Sequence, residues 1–404
     1  MLLVKGKKII INLIKYLSVY SNAKSNEEEL KKIRGLCFLN KQKEVEFTGY
    51  EPEIEINEIP DPDYNIIIQD SKLDAYIISP FYYEQFKYDE RTYEQKRKNK
   101  KMATVITSRG CVARCTFCHR WQKGLRIFSV DRVMNHIQFL MENYNVGFVS
   151  FGDEDFGASE RWVNNFIEKI ASLDILYRIS AARVDHISLP LLKRLRETGC
   201  IAIHHGFESG SNHILKVMEK RATVEENTNA TLWAHEAKLQ TVPALVVGMP
   251  GETYSTIQET SKFVQTITEY YPYEPIVSPN LLVALPGTPV EYARFKGFLG
   301  TTLKDEEDYL MRVSDHGGGS PVQFNFTDYP YFIVQSWIKC IMIEVMYHYY
   351  KKNNLPTLST LGLFKKILFY LLLNKKKRTF SSGFYSHPLV YRLRYFLTPI
   401  PIIF

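Results

Sequence analysis

Three cysteines, Cys111, Cys115 and Cys118, fall within eight positions of the stretch TSRGCVARCTFCHRW at residues 107–121. Thiols this close can ligate a metal, carry redox chemistry, or meet by chance in a small loop. The remaining three, Cys37, Cys200 and Cys340, are scattered singly and read as buried thiols. Six cysteines in 404 residues do not describe a disulfide scaffold. The C-x3-C-x2-C triad offers three thiolates, whereas structural zinc needs four ligands and usually takes them from two paired knuckles. No second knuckle follows, and His119 is adjacent to Cys118 and badly placed for the same ion. Three thiolates do suit a [4Fe–4S] cube with one iron left open. An α-amino acid can chelate such an iron through its amino and carboxylate groups.

The elements that must position these thiols alternate along the chain. ATVITSRG, VGFVSFGDE, LYRISAARVD, CIAIHHGFESG, TVPALVVGMPG and VSPNLLVALPGTP read as strands. Between them lie helical patterns such as DRVMNHIQFLMENY, with Ser129 as its cap, and SLPLLKRLRETG, with Pro190 near its start and Gly199 at its end. Six strands separated by helices predict an α/β fold, a partial (β/α)6 TIM-like barrel over residues 102–290. Each polar or glycine-rich motif follows a strand, which places it on the C-terminal rim where barrel active sites are built.

Around this block, residues 1–33 read as a helical segment and 34–101 as a hairpin followed by a strap. The latter contains the charged linker KYDERTYEQKRKNKK. Residues 291–404 read as a helical C-terminal region. The apolar KKIIINLIKYLSVY is interrupted by Lys15 and reads as an amphipathic helix, with no small-residue cleavage site after it. The cytoplasm is the expected compartment. The net charge of +7 is concentrated in one segment: ten basic and no acidic residues lie from Lys351 onward, so the remainder is slightly acidic. The basicity therefore gives no reason to expect nucleic-acid binding by the body of the protein. In the tail, LGLFKKILFYLLLNKKKR is too short and too charged to span a bilayer. Its apolar face and lysine flanks suit either a membrane surface at the inner face or packing across the barrel mouth. Contact with membrane would favour a lipid-like substrate over a small soluble one. HGGGSPVQFNFTDYP reads as a lid.

PDPDYN, TSRGCVARCTFCHRW, FGDEDFG, GFESGS, GMPGET and ALPGTP, in this order, resemble the radical S-adenosylmethionine (SAM) superfamily, and within it the cobalamin-dependent class B methylase-like branch. The resemblance covers about residues 30–330. It implies that Cys111, Cys115 and Cys118 hold a [4Fe–4S] cluster whose open iron takes the methionyl part of SAM. Gly152, Asp153 and Glu154 stand where the family contacts the SAM amino group, with Phe151 in place of the first glycine of that motif. Glu208 and Ser209 are implied at the ribose or methionyl carboxylate, and Val247 and Gly248 beside the adenine. Arg183 suits the SAM carboxylate, with a surface ion pair as the competing account. Strand alternation puts His204 on the face of Gly206 and Glu208, where it either touches substrate or is a hydrogen-bonded core histidine. Arg109, Arg114 and Arg120 make the loop electropositive, which favours thiolates.

The implied activity is reductive cleavage of SAM, with a 5′-deoxyadenosyl radical acting on an unidentified substrate. An electron donor such as flavodoxin or ferredoxin is the implied partner. In the cobalamin-dependent branch an Asp-x-His-x-x-Gly domain precedes the barrel. No such motif occurs here, and residues 1–33 resemble only that domain's last helix, so cobalamin is not expected within this chain. Two alternatives stand beside this reading. One is a methyltransferase using a cobalamin domain supplied in trans, and the other is a truncated, non-catalytic remnant.

Overall fold

The computed structural model describes residues 2–3, 7–20, 26–50, 54–66, 76–119, 124–269, 271, 275–285, 287–295 and 325–353. The chain divides into two compact units, Met1–Asp61 and Pro62–Phe404. In the first, strand β1 (Leu2–Leu3) and helices α1 (Lys7–Tyr20) and α2 (Glu27–Lys31) precede the hairpin β2 (Leu36–Leu39) and β3 (Val45–Phe47). Helix α1 buries Ile9, Leu13 and Tyr16, one turn apart, against Ile33, Leu36 and Phe38. Its opposite flank is apolar as well, since Ile10, Ile11, Ile14 and Leu17 are exposed.

The second unit is built on one seven-stranded sheet. An edge strand β4 (Ile77–Ile78) lies antiparallel to β5 (Lys101–Val105). The hairpin β6 (Ser108–Cys111) and β7 (Gly124–Ile127) leaves that sheet, and α3 (Val130–Tyr144) returns the chain to it. There follow β8 (Val146–Phe151), α4 (Glu160–Ile170), β9 (Leu176–Ala182), α5 (Leu189–Glu197) and β10 (Cys200–Glu208). Helices α6 (Asn212–Val217) and α7 (Val224–Glu236), strand β11 (Pro243–Val247), α8 (Tyr254–Thr268) and β12 (Ser278–Leu281) complete the alternation. Beyond them lie α9 (Pro289–Phe295) and α10 (Tyr331–Lys352). The sheet order β12-β11-β10-β9-β8-β5-β4 has six consecutive parallel strands, the half-barrel expected from the alternation. Serine and threonine caps start several of the helices: Ser129, Ser159, Thr223 and Thr253 each accept a backbone N–H of the first turn. Helix α10 seals the sheet's end with Val334, Trp337, Ile341 and Val345, packed on Phe263, Val264 and Ile267 of α8.

Two features differ from the sequence expectation. ATVITSRG is not one strand: it breaks after Val105, and Ser108–Cys111 pairs with Gly124–Ile127 instead. The charged stretch read as a linker is a chain of short 3-10 turns from Pro80 to Arg97, clamped on the sheet's N-terminal end. Asp89 pairs with Arg91 and Arg196, Arg97 donates to Asp174 at 2.7 Å, and Phe86 is buried against Met102 and Phe148. Its charges look like a solvated run because their partners lie up to 109 residues away. Of the single cysteines, Cys200 is buried while Cys37 and Cys340 are only partly so. The C-terminal tail, and residues 316–324 of the glycine-rich lid, lie outside the described residues. Among the described residues no helix is long and apolar enough to cross a membrane.

Candidate active site

The hairpin carrying the cysteines is anchored by a residue on the neighbouring strand. Asp153, just past β8, accepts the backbone N–H groups of Thr107 at 2.7 Å and Ser108 at 2.6 Å, and the Ser108 hydroxyl at 3.0 Å. Thr107, Ser108 and Asp153 are all buried. This capture turns the chain out of the sheet, so the cysteine loop starts at the C-terminal rim. Asp153 is thereby committed to the loop backbone, while Gly152 and Glu154 beside it are exposed on the rim.

The three sulfurs sit in different surroundings. Cys111 Sγ donates to Asp155 Oδ2 at 3.3 Å and accepts the Ala113 N–H at 3.4 Å. Cys115 is buried, and the Cys118 N–H donates back to its carbonyl. Among the described residues no set of three or more His, Cys, Asp and Glu side chains converges to hold a metal ion. All three thiol pKa values are raised. Burial is the main cause throughout, and it pushes Cys111 up to about 12, helped by the Asp155 carboxylate. The expectation that the loop's own arginines favour thiolates is therefore not met. The cations that most oppose burial are Arg183 and Lys220, and Arg120 lies outside the described residues.

Glu208 ends β10 in the left-handed region, at φ 64°, and accepts Lys220 Nζ at 2.9 Å. Both side chains are largely buried, and both lie close enough to influence Cys115 and Cys118. Gly206 makes room for the pair: a Cβ there would stand 2.2 Å from Glu208 Oε1 and 3.2 Å from Lys220 Nζ. Gly206→Ala is expected to dislodge the Glu208–Lys220 contact and cost about 1–3 kcal/mol, read as a lower midpoint in urea unfolding.

Arg183 is engaged by Asp185, to which it donates from Nε and Nη2 at 3.0 Å each, and by the Lys220 carbonyl at 3.0 Å. Arg183 is therefore ion-paired, but buried rather than at the surface as expected for such a pair. Ser209 is turned from the rim into the core: its hydroxyl lies 3.2 Å from Thr260 Oγ1 and accepts the Ser211 N–H at 3.1 Å. Val247 and Gly248 do stand together at the end of β11, lining a small cavity with Leu282, Phe326 and Val334. Gly248 adopts φ 99°, which favours glycine. Its N–H and that of Met249 donate to the buried Glu252, whose pKa burial raises to about 7.

Glu252 gives the fold a pH dependence of definite sign. A carboxyl that titrates near 4.5 unfolded and near 7 folded leaves the native state holding the extra proton between those values, so stability falls as pH rises through that window. The fall amounts to about 3 kcal/mol if Glu252 acts alone. Glu252→Gln should flatten it, which melting curves from pH 4.5 to 8 will show.

His204 faces the inside of the half-barrel, as alternation predicts, and its Nδ1 lies 2.8 Å from Arg178 Nη2. Burial and the adjacent guanidinium hold its pKa well below the ordinary value, so the ring is neutral. Sequence reasoning missed Asp155, Arg178 and Lys220. Asp155 was within reach, in the same FGDEDFG motif. Lys220 was not, because it lies between Glu219 and Arg221, both at positive φ, in a loop with no motif.

Residues 105–264 match the Radical SAM superfamily. A methyltransferase of Pyrococcus horikoshii, described as uncharacterized, is 28% identical over 67% of this chain and 54% of its own. The anaerobic magnesium-protoporphyrin IX monomethyl ester cyclase of Cereibacter sphaeroides is 26% identical over 63% of this chain and 39% of its own. The chain thus spans about half or less of the length of these relatives. Among solved structures, the radical SAM methyltransferase TsrM of Kitasatospora setae, with cobalamin and a [4Fe–4S] cluster bound, superposes with a TM-score of 0.51 at 16% identity. That superposition covers 74% of this chain and 55% of TsrM. The cobalamin-dependent SAM radical enzyme OxsB gives a TM-score of 0.50 at 18% identity, over 72% of this chain and 38% of its own. The radical SAM match thus covers residues 105–264, the stretch that holds the three-cysteine loop and strands β8 to β11 of the half-barrel, and that family implies a [4Fe–4S] cluster and SAM.

Proposed function

We propose that the chain is a radical SAM enzyme whose cluster is held by Cys111, Cys115 and Cys118. One observation carries the reading: a loop with three thiols is pinned by Asp153 to the C-terminal rim of a six-stranded parallel half-barrel. The residues fit such a cluster in donor chemistry and share one loop, but their sulfurs do not converge as they stand, so the loop must draw them together and Cys111 must exchange its Asp155 contact for iron. Bound there, the cluster and SAM would supply a 5′-deoxyadenosyl radical that takes a hydrogen atom from the substrate.

The chain's own residues bind and shield. Gly152 and the exposed Glu154 would receive the amino group of SAM, and the Glu208–Lys220 pair its ribose or carboxylate. Val247 and Gly248 would flank the adenine. Arg183 and Ser209 act one step removed, by holding the Lys220 loop and the end of β10. Anaerobic reconstitution with iron and sulfide, then reductant and SAM, should yield 5′-deoxyadenosine. Protein that takes up zinc but no sulfide would rule the proposal out.

Methyl transfer is the second reading, favoured by the name of the Pyrococcus horikoshii relative. It needs cobalamin held by another domain or chain and predicts cobalamin-dependent formation of S-adenosylhomocysteine. A flavodoxin or ferredoxin is the proposed electron donor in either case.

A further inference from the structure

Below the rim, the inward face of the sheet carries a buried arginine that no acid among the described residues pairs with. Arg178, on β9, is 5% exposed. Its Nη1 donates to Ser150 Oγ at 2.9 Å and Ser180 Oγ at 3.2 Å, and Nη2 contacts His204 Nδ1 at 2.8 Å. Its guanidinium lies over the Tyr83 ring, 4.0 Å from the centroid. Among the described residues Nε has no hydrogen-bond partner. Among the described residues no carboxylate pairs with it, and the facing histidine is neutral.

Burying a cation against hydroxyls and one ring, with a donor left over, is costly unless an anion completes the set. The way in is lined by small or exposed positions. Thr104, Ile106 and Gly152 are exposed, Ser180 and Gly206 partly so, and these residues continue the inward face of the strands towards the rim. Phe86, Met102 and Phe148 close the other end.

We propose that Arg178, with Ser150 and Ser180, binds a carboxylate group of the substrate in the half-barrel interior. This deepens the radical SAM reading and rests on it for the identification of that interior as the substrate chamber. A carboxylate matches the charge: one guanidinium beside a neutral imidazole balances a monoanion, whereas a phosphate dianion would need a second cation. His204 orients the guanidinium and acts through Arg178.

The test uses full-length protein, as isolated and after reconstitution, with hexanoate as probe. At a hundredfold excess over its Kd, hexanoate should raise the melting temperature by about 4 °C, while hexanamide and inorganic phosphate leave it unchanged. Arg178→Met should weaken hexanoate binding by about tenfold or more in calorimetry, and Arg178→Lys should recover part of it. No effect of hexanoate on the wild type overturns the proposal, as does equal binding by Arg178→Met. An equal response to hexanamide or phosphate overturns the carboxylate assignment. Should Arg178→Met not fold, the wild-type arms still decide. Iron and sulfide content, measured on the same samples, reports on the cluster separately, so a failed cluster and a failed carboxylate site give different results.

Discussion

Cys115→Ala yields a folded protein that retains no [4Fe–4S] cluster and releases 5′-deoxyadenosine at below about one per cent of the wild-type rate. Two remaining thiols cannot hold a cube that three secure with one iron left open. The fold should survive because the change removes a single buried sulfur, a loss of about 1 kcal/mol. Cys200 provides the matched control. It is fully buried at the start of β10, on the far end of the strand from the rim, and its thiol donates only to the Ala202 carbonyl at 3.4 Å. Cys200→Ala should lose similar stability and keep both cluster and product. Iron and sulfide analysis, with chromatography of the nucleoside, distinguishes the two. A Cys115→Ala protein that loads four irons and cleaves SAM would show that the sulfurs of this loop are not the ligands.

The parallel half-barrel is legible in the sequence because its strands are short apolar runs bounded by capping residues and glycine, and those signals are local. Ser129 and the Pro190–Gly199 pair mark helix ends for the same reason. The hairpin of the cysteine loop is not legible. SRGC and GLRI carry no alternating apolar pattern, and what bends the chain there is a carboxylate 45 residues further on. The strap from Pro80 to Arg97 hides in the same way, since Asp89 and Arg97 meet Arg196 and Asp174 only after folding.

In the site, spacing fixes which residues reach the rim but not which way they turn. Glu208 faces inward as alternation requires, whereas Ser209, one residue on, is drawn to Thr260 of α8. The charge of Arg183 suggests a ligand contact, and the chain supplies Asp185 two residues later. Arg178 escapes notice because a single arginine within LYRISAARVD reads as a strand residue. Only the tertiary arrangement shows that no acid among the described residues pairs with it.

Asp153→Ala will lower stability by about 2–4 kcal/mol and leave cluster uptake well below wild type. The carboxylate satisfies two buried backbone N–H groups and a buried hydroxyl at the point where the chain leaves β5 for the cysteine hairpin. Each orphaned donor costs about 1–3 kcal/mol. Part of that is offset, because burial already disfavours the charge on Asp153, raising its pKa, and its Oδ2 has no partner. Asp153→Asn separates the two contributions. It keeps an acceptor at Oδ1 and removes the buried charge, so it should stay within about 1 kcal/mol of wild type and load iron normally. Urea unfolding of the three proteins, with iron content after identical reconstitution, reads both effects. The tether is the wrong account if Asp153→Ala loses less than about 1 kcal/mol and loads its cluster fully, since the hairpin would then hold its place at the rim without the carboxylate.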